Sequence, residues 1–152
     1  LNVATKAIQQ DTISNKLVTR WKEVNKKLAA LAEEVPESRY DYRAVDGVRT
    51  FAEVLRHVAF WNRYVADSAR GGKADDAANE LPKSEFSTKA KIVTALKGTA
   101  EEAANALQES SSGLSLEIAD MLITFIEHNC EHYGQLAVYA RLNGIVPPVS
   151  RG

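Results

Sequence analysis

Apolar residues recur along most of this chain at steps of three and four rather than two, the repeat of helices with one buried stripe. Between residues 12 and 35, Ile13, Leu17, Trp21, Val24, Leu28, Leu31 and Val35 stand four, four, three, four, three and four apart. The spacing predicts a helix over 12–34, stopped by Pro36. PESRYDYRAVDGV then reads as a connection whose Tyr40 and Tyr42 pack back on the helices. A second helix is predicted from Thr50, where T-F-A-E spells a capping box, to about Arg70, where Gly71-Gly72 can take the left-handed turn that ends helices.

KADDAANELPKSEF is polar with one proline and reads as a long surface crossover. Ser87 is the expected cap of a third helix over 88–109, with a stripe of Ile92, Leu96, Ala100, Ala103 and Leu107. SSSG at 110–113 breaks the chain, and a fourth helix is expected from Ser115 to Asn143, ended by Gly144 and Pro147-Pro148. No stretch alternates as a strand would. The class is therefore all-α, and two long connections plus one short one predict a four-helix bundle, a single domain over 1–152. The interior of such a bundle is a usual place for metal and cofactor sites.

Composition narrows the partners. A formal net charge of -1 and a pI near 6.4 give no electrostatic reason for binding nucleic acid or an anionic membrane, which leaves small molecules and other proteins. No run approaches the roughly 18 apolar residues that a transmembrane helix needs. The single cysteine, Cys130, excludes an intrachain disulfide and fits a reducing compartment. Cytoplasmic location is the default expectation, with an upstream signal peptide left open because the sequence begins at Leu1 rather than Met.

The chemistry gathers on the three histidines. Met121, Phe125, His128, His132, Gln135 and Tyr139 share one face of the fourth helix. Histidines four apart have Cβ atoms about 5–6 Å from each other, so both imidazoles can reach one ion at about 2.0–2.1 Å. The spacing also suits ordinary surface or core histidines. His57 sits on the second helix beside Val54, Val58, Trp61 and Val65, at the border of its buried face. Alone it is a partly buried imidazole bonded to a neighbour; a bundle that joins helices two and four would bring all three histidines together. Three protein nitrogens and one open position make a catalytic-type metal site.

HNCEH also spells the H-x-x-E-H of a zinc peptidase, but that chemistry needs an acidic ligand downstream, and residues 133–152 contain no Asp or Glu. A di-iron site needs E-x-x-H pairs, whereas Phe125 and Asn129 stand three before the histidines. Cys130 points roughly 200° away from both and is expected to pack as a small apolar residue elsewhere. Glu127 and Glu131, rotated by about 100°, are expected in solvent. Gly134 costs a helix about 1 kcal/mol relative to alanine, so it should mark a close helix approach or room for a ligand. Gln135, Tyr139 and Arg141 are candidates to line the site; Arg141, Arg56 and Arg63 are otherwise expected in solvent, with one near the site mouth able to hold an anionic substrate, and Trp21 and Trp61 are expected in the core.

AEEVPESRYDYRAVDGVRTFAEVLRHVAFWNRY, followed by HNCEHYGQLAVYARLNGIVPP, closely resembles the DinB/YfiT-like family of metal-dependent enzymes, from Trp21 to Pro148. The resemblance implies a four-helix bundle, often a homodimer, with His57 as the second-helix ligand and His128 and His132 as the fourth-helix pair around a divalent metal. Zinc or nickel is favoured, with iron, manganese and copper also compatible with imidazole ligands. It further implies a metal-dependent hydrolase or thiol-dependent transferase acting on a small molecule, such as a low-molecular-weight thiol of the mycothiol or bacillithiol kind. The contrasting expectation is a non-catalytic, dimeric interaction protein with a structural or vestigial metal site.

Overall fold

The structure, a computed structural model, describes the backbone of residues 3–109 and 112–151. Four long helices carry it: α1 (Val3–Glu34), α2 (Phe51–Ala69), α3 (Lys89–Gln108) and α4 (Leu116–Leu142). Among the described residues there is no strand, as the periodicity predicts. Both α1 and α2 pack on both α3 and α4, so α1 lies diagonally across the bundle from α2, and α3 from α4. The long connection after α1 carries the chain across that diagonal.

The helix ends follow the sequence signals closely. At α2 the Thr50 side chain accepts from the Glu53 amide while the Glu53 carboxylate accepts from the Thr50 amide at 2.6 Å, the reciprocal box that satisfies two otherwise orphan donors. Gly71 and Gly144 adopt φ of 73° and 75°, the left-handed conformation that suits glycine after a helix. Ser115, where the fourth helix was expected to begin, is its cap, the side chain accepting from the Ile118 amide. The cap of α3 is Thr88 rather than Ser87, because the Thr88 hydroxyl is the one that accepts from the Lys91 amide. The start of α1 is earlier than residue 12, at Val3. The break at SSSG includes Ser110 and Ser111, which lie outside the described residues.

In the core, Trp21, Leu28 and Leu31 of α1 are fully buried, as is the α2 face of Val54, Leu55 and Val58. Trp21 also donates its indole N–H to the Ala100 carbonyl of α3 at 3.0 Å, which joins apolar burial to a directional bond. Ile13 departs from the expected stripe: it is 53% exposed, and the buried positions beside it are Ser14 and Val18. All five predicted α3 core positions are buried.

The two long connections are tied down, and both lead to the histidines. In the first, Tyr40 is buried with its hydroxyl donating to the Ala32 carbonyl at 2.7 Å, and Tyr42 meets Tyr139 edge-on at 5.7 Å. Its main chain returns to α2 through the Phe51 and Ala52 amides, which donate to the Tyr42 and Tyr40 carbonyls. In the second, Leu81 is buried and its amide donates to the Arg56 carbonyl of α2 at 3.3 Å, while the buried Arg56 guanidinium holds Glu80 at 2.8 Å. Arg56 is thus an internal tether rather than the solvated residue expected.

Candidate metal centre

The bundle brings His57 of α2 and His128 and His132 of α4 together, with one ring nitrogen from each lying within 4.8 Å of the others. His57 and His128 present their Nε2 atoms to each other at 2.9 Å. Whether that contact is a hydrogen bond depends on where the protons sit, and the surroundings decide it.

The Nδ1 of His57 lies 2.6 Å from the main-chain carbonyl of Asn79, which can only accept, so this nitrogen carries the proton. Asn79 is held in turn, with φ of 59° and its side-chain carbonyl accepting from the Trp61 indole at 2.9 Å. The left-handed region is one that asparagine tolerates better than most residues.

The Nδ1 of His132 lies 3.0 Å from Gln135 Oε1. Gln135 must present its oxygen there, because its amide nitrogen donates to the Tyr139 hydroxyl at 3.1 Å, whose only proton goes to the Arg49 carbonyl at 2.9 Å. His132 therefore also holds its proton on Nδ1.

His128 is fixed by a longer chain through the buried centre of the bundle. The Asn25 amide donates to the Trp21 carbonyl at 3.0 Å, leaving Asn25 Oδ1 to accept from Asn62 at 3.0 Å and Asn129 at 3.3 Å. Asn129 donates also to Asn62 Oδ1 at 3.0 Å, which leaves Asn129 Oδ1 as the acceptor for His128 Nδ1 at 3.0 Å. All three asparagines are buried, Asn62 and Asn129 completely. Fully satisfied polar networks of this kind are stabilising inside a bundle, where a half-satisfied one would be costly.

Three acceptor chains, each ending on a main-chain carbonyl, thus place every proton on Nδ1 and every lone pair on Nε2. The 2.9 Å contact between His57 and His128 is then two lone pairs facing each other, which repel unless a cation lies between them. A tetrahedral zinc-like centre spaces its nitrogens about 3.3 Å apart, within the range these groups span. The residues present fit a divalent ion, and the partners on the outer nitrogens are of the type that orients metal-bound imidazoles.

Burial holds the His57 imidazole down at about 4, against an ordinary 6.5; the Asn79 carbonyl opposes this, while Arg49 and the other two histidines add to it. Burial likewise brings His128 to about 4. His132 is lowered too, by burial first and by Arg49 in the same direction. Neutral imidazole is the form that binds a metal, so all three are ready at neutral pH.

To one side stands an aromatic wall, with Trp61 stacked on Phe125 at 5.3 Å and Phe125 edge-on to His128 at 5.8 Å. Trp21 is core as expected, whereas Trp61 is half-buried and stands beside the histidines. On another side a cavity of about 570 Å³ reaches His132 and Gln135, with Arg43, Arg49, Glu53 and Glu80 along it.

A sequence model of the DinB superfamily matches residues 20–136, a span that includes all three histidines. The chain belongs to the DinB superfamily. No curated protein matches it.

Within this DinB domain, Gln135 and Tyr139 stand behind His132 as expected, but Arg141 is exposed and the arginine beside the histidines is Arg49. Cys130 does face away, yet it is exposed rather than packed. Glu127, Glu131 and Arg63 are exposed as expected. Gly134 is exposed and a Cβ there would meet nothing within 4 Å, so nothing in the structure explains the glycine. Asn25, Asn62, Asn79, Asn129 and Arg49 were not singled out by the sequence pattern. A signal existed for Asn129: Leu122, Asn129 and Leu136 are seven apart, and this line, not the histidine face, is the fully buried seam of α4.

Proposed function

We propose that this DinB-superfamily protein is a metal-dependent enzyme for a small-molecule substrate, with His57, His128 and His132 as ligands to one divalent ion. The observation that carries the reading is the convergence of three Nε2 lone pairs, each oriented by a hydrogen-bond chain anchored on the main chain. Three neutral nitrogen ligands leave a fourth position for water or substrate, as in catalytic rather than closed structural sites. Zinc and nickel suit such a set best.

When bound, the ion supplies Lewis acidity, lowering the pKa of a water or thiol that reaches it and polarising a carbonyl. Hydrolysis and thiol-dependent transfer are the reaction classes this chemistry serves. The chain's own residues orient the three imidazoles through Asn79, Asn129 and Gln135, and the Trp61–Phe125 wall shields one side from water. The cavity at His132 is within the size range of small-molecule sites.

Cobalt(II) reconstitution tests the open position. The visible spectrum of the cobalt protein should change on adding azide or a simple thiol. A spectrum unmoved by saturating amounts of either would instead mark a closed, structural metal clip.

A further inference from the structure

The charges along the cavity at His132 do not cancel. The buried Arg56 donates from both Nε, at 2.9 Å, and Nη2, at 2.8 Å, to Glu80 Oε1, so that carboxylate is neutralised from beneath. Glu53 is engaged by its capping box and faces Arg43 at 3.8 Å. Arg49 is left over. Its Nε is 3.8 Å from the second Glu80 oxygen, beyond hydrogen-bond reach, and among the described residues its guanidinium donates no hydrogen bond. With Arg56 buried beneath the lining, three guanidiniums thus meet two carboxylates.

Arg49 is also placed with care. Its carbonyl accepts from the Tyr139 hydroxyl at 2.9 Å, the last link of the chain that orients His132. Its charge is felt by all three imidazoles, whose protonation it disfavours. The side chain is 37% exposed, open to the cavity yet partly shielded from bulk water.

The geometry points to a carboxylate-bearing small molecule as the occupant of this cavity, its carboxylate held by the Arg49 guanidinium and its reacting end at the three histidines. The planar guanidinium matches a carboxylate through two parallel N–H bonds. A phosphate dianion suits the cavity less, because Glu53 and Glu80 line it as well and one loosely held arginine offsets only one charge. This inference rests on the metal-site reading and adds the substrate class to it.

The test uses cobalt(II)-loaded protein titrated with 3-mercaptopropionate and with 3-mercapto-1-propanol, probes that differ in the carboxylate, followed by thiolate-to-cobalt absorption. Wild type should favour the carboxylate thiol over the alcohol about ten-fold more strongly than Arg49→Gln does, since a charge-assisted bond of this kind contributes at least that much. Arg49→Lys should recover part of the preference. An equal preference in wild type and Arg49→Gln overturns the inference while leaving the metal site standing. Protein that holds no cobalt, or cobalt that responds to neither thiol, overturns the metal-site reading and this inference with it.

Discussion

Acidification of the metal-free protein probes the histidine cluster directly. His57 titrates at about 4 in the folded chain, because burial disfavours its charged form, and near 6.5 when unfolded. The unfolded state therefore takes up the proton first. The stability that neutral His57 contributes is complete above 6.5, declines as pH falls below that value, and is fully lost near the folded value of about 4. At pH 5.5 the loss is about 1.4 kcal/mol for His57 alone, and it approaches about 3 kcal/mol by pH 4. His128, also held at about 4, acts in the same direction. Glu34 and Glu53 are held below their ordinary 4.5, so they stay ionised at pH 5.5. Urea denaturation at pH 7.5 and 5.5, with metal removed, measures the effect: with a slope of about 1.5 kcal/mol per M, the His57 share lowers the midpoint by roughly 1 M. His57→Gln, which cannot titrate, should lose that share. An equal acid shift in wild type and His57→Gln would refute the reasoning.

Asn129→Leu removes the acceptor behind His128 Nδ1 and leaves Asn62 Oδ1 without its donor, so it should lower stability by about 1–3 kcal/mol and metal affinity about 10–100-fold. Nitrogen NMR of the histidine rings in metal-free protein should show His128 as the Nδ1–H tautomer in wild type and a mixture in the variant; a wild-type Nε2–H ring would contradict the hydrogen-bond assignment. Gly134→Ala should raise stability by about 0.5–1 kcal/mol in thermal or urea unfolding, because the site is exposed, helical and open to a Cβ. A destabilised Gly134→Ala would mean that the space beside Gly134 is needed by something the folded chain does not show.

Much of the fold was legible because its signals are local. The capping box at Thr50, the glycines at 71 and 144 and the three-and-four spacing each act within a few residues, and each places its helix end or buried stripe. The histidines could be grouped by type and spacing. What surrounds them could not, because the partners are main-chain carbonyls of Asn79, Arg49 and Trp21, reached through side chains from other helices and connections. A carbonyl has no letter in the sequence. The asparagines carry a faint signal, polar residues on otherwise apolar lines, but only packing of α1, α2 and α4 shows that they satisfy one another. Arg56 departs from its expected place in solvent, and Arg49 was not singled out, for a similar reason: the crossover that supplies Glu80 chooses the buried arginine as its closer partner and leaves the other open to the cavity.

The central claim is that three imidazoles converge on one divalent ion. Equilibrium dialysis of metal-free protein against zinc or nickel, with bound metal counted by elemental analysis, tests it most directly when wild type is compared with His57→Ala, His128→Ala and His132→Ala. The account predicts a single ion bound tightly per wild-type chain and at least about a hundred-fold weaker binding in each variant, since each removes one of three ligands. Metal content that is the same in wild type and all three variants would contradict it.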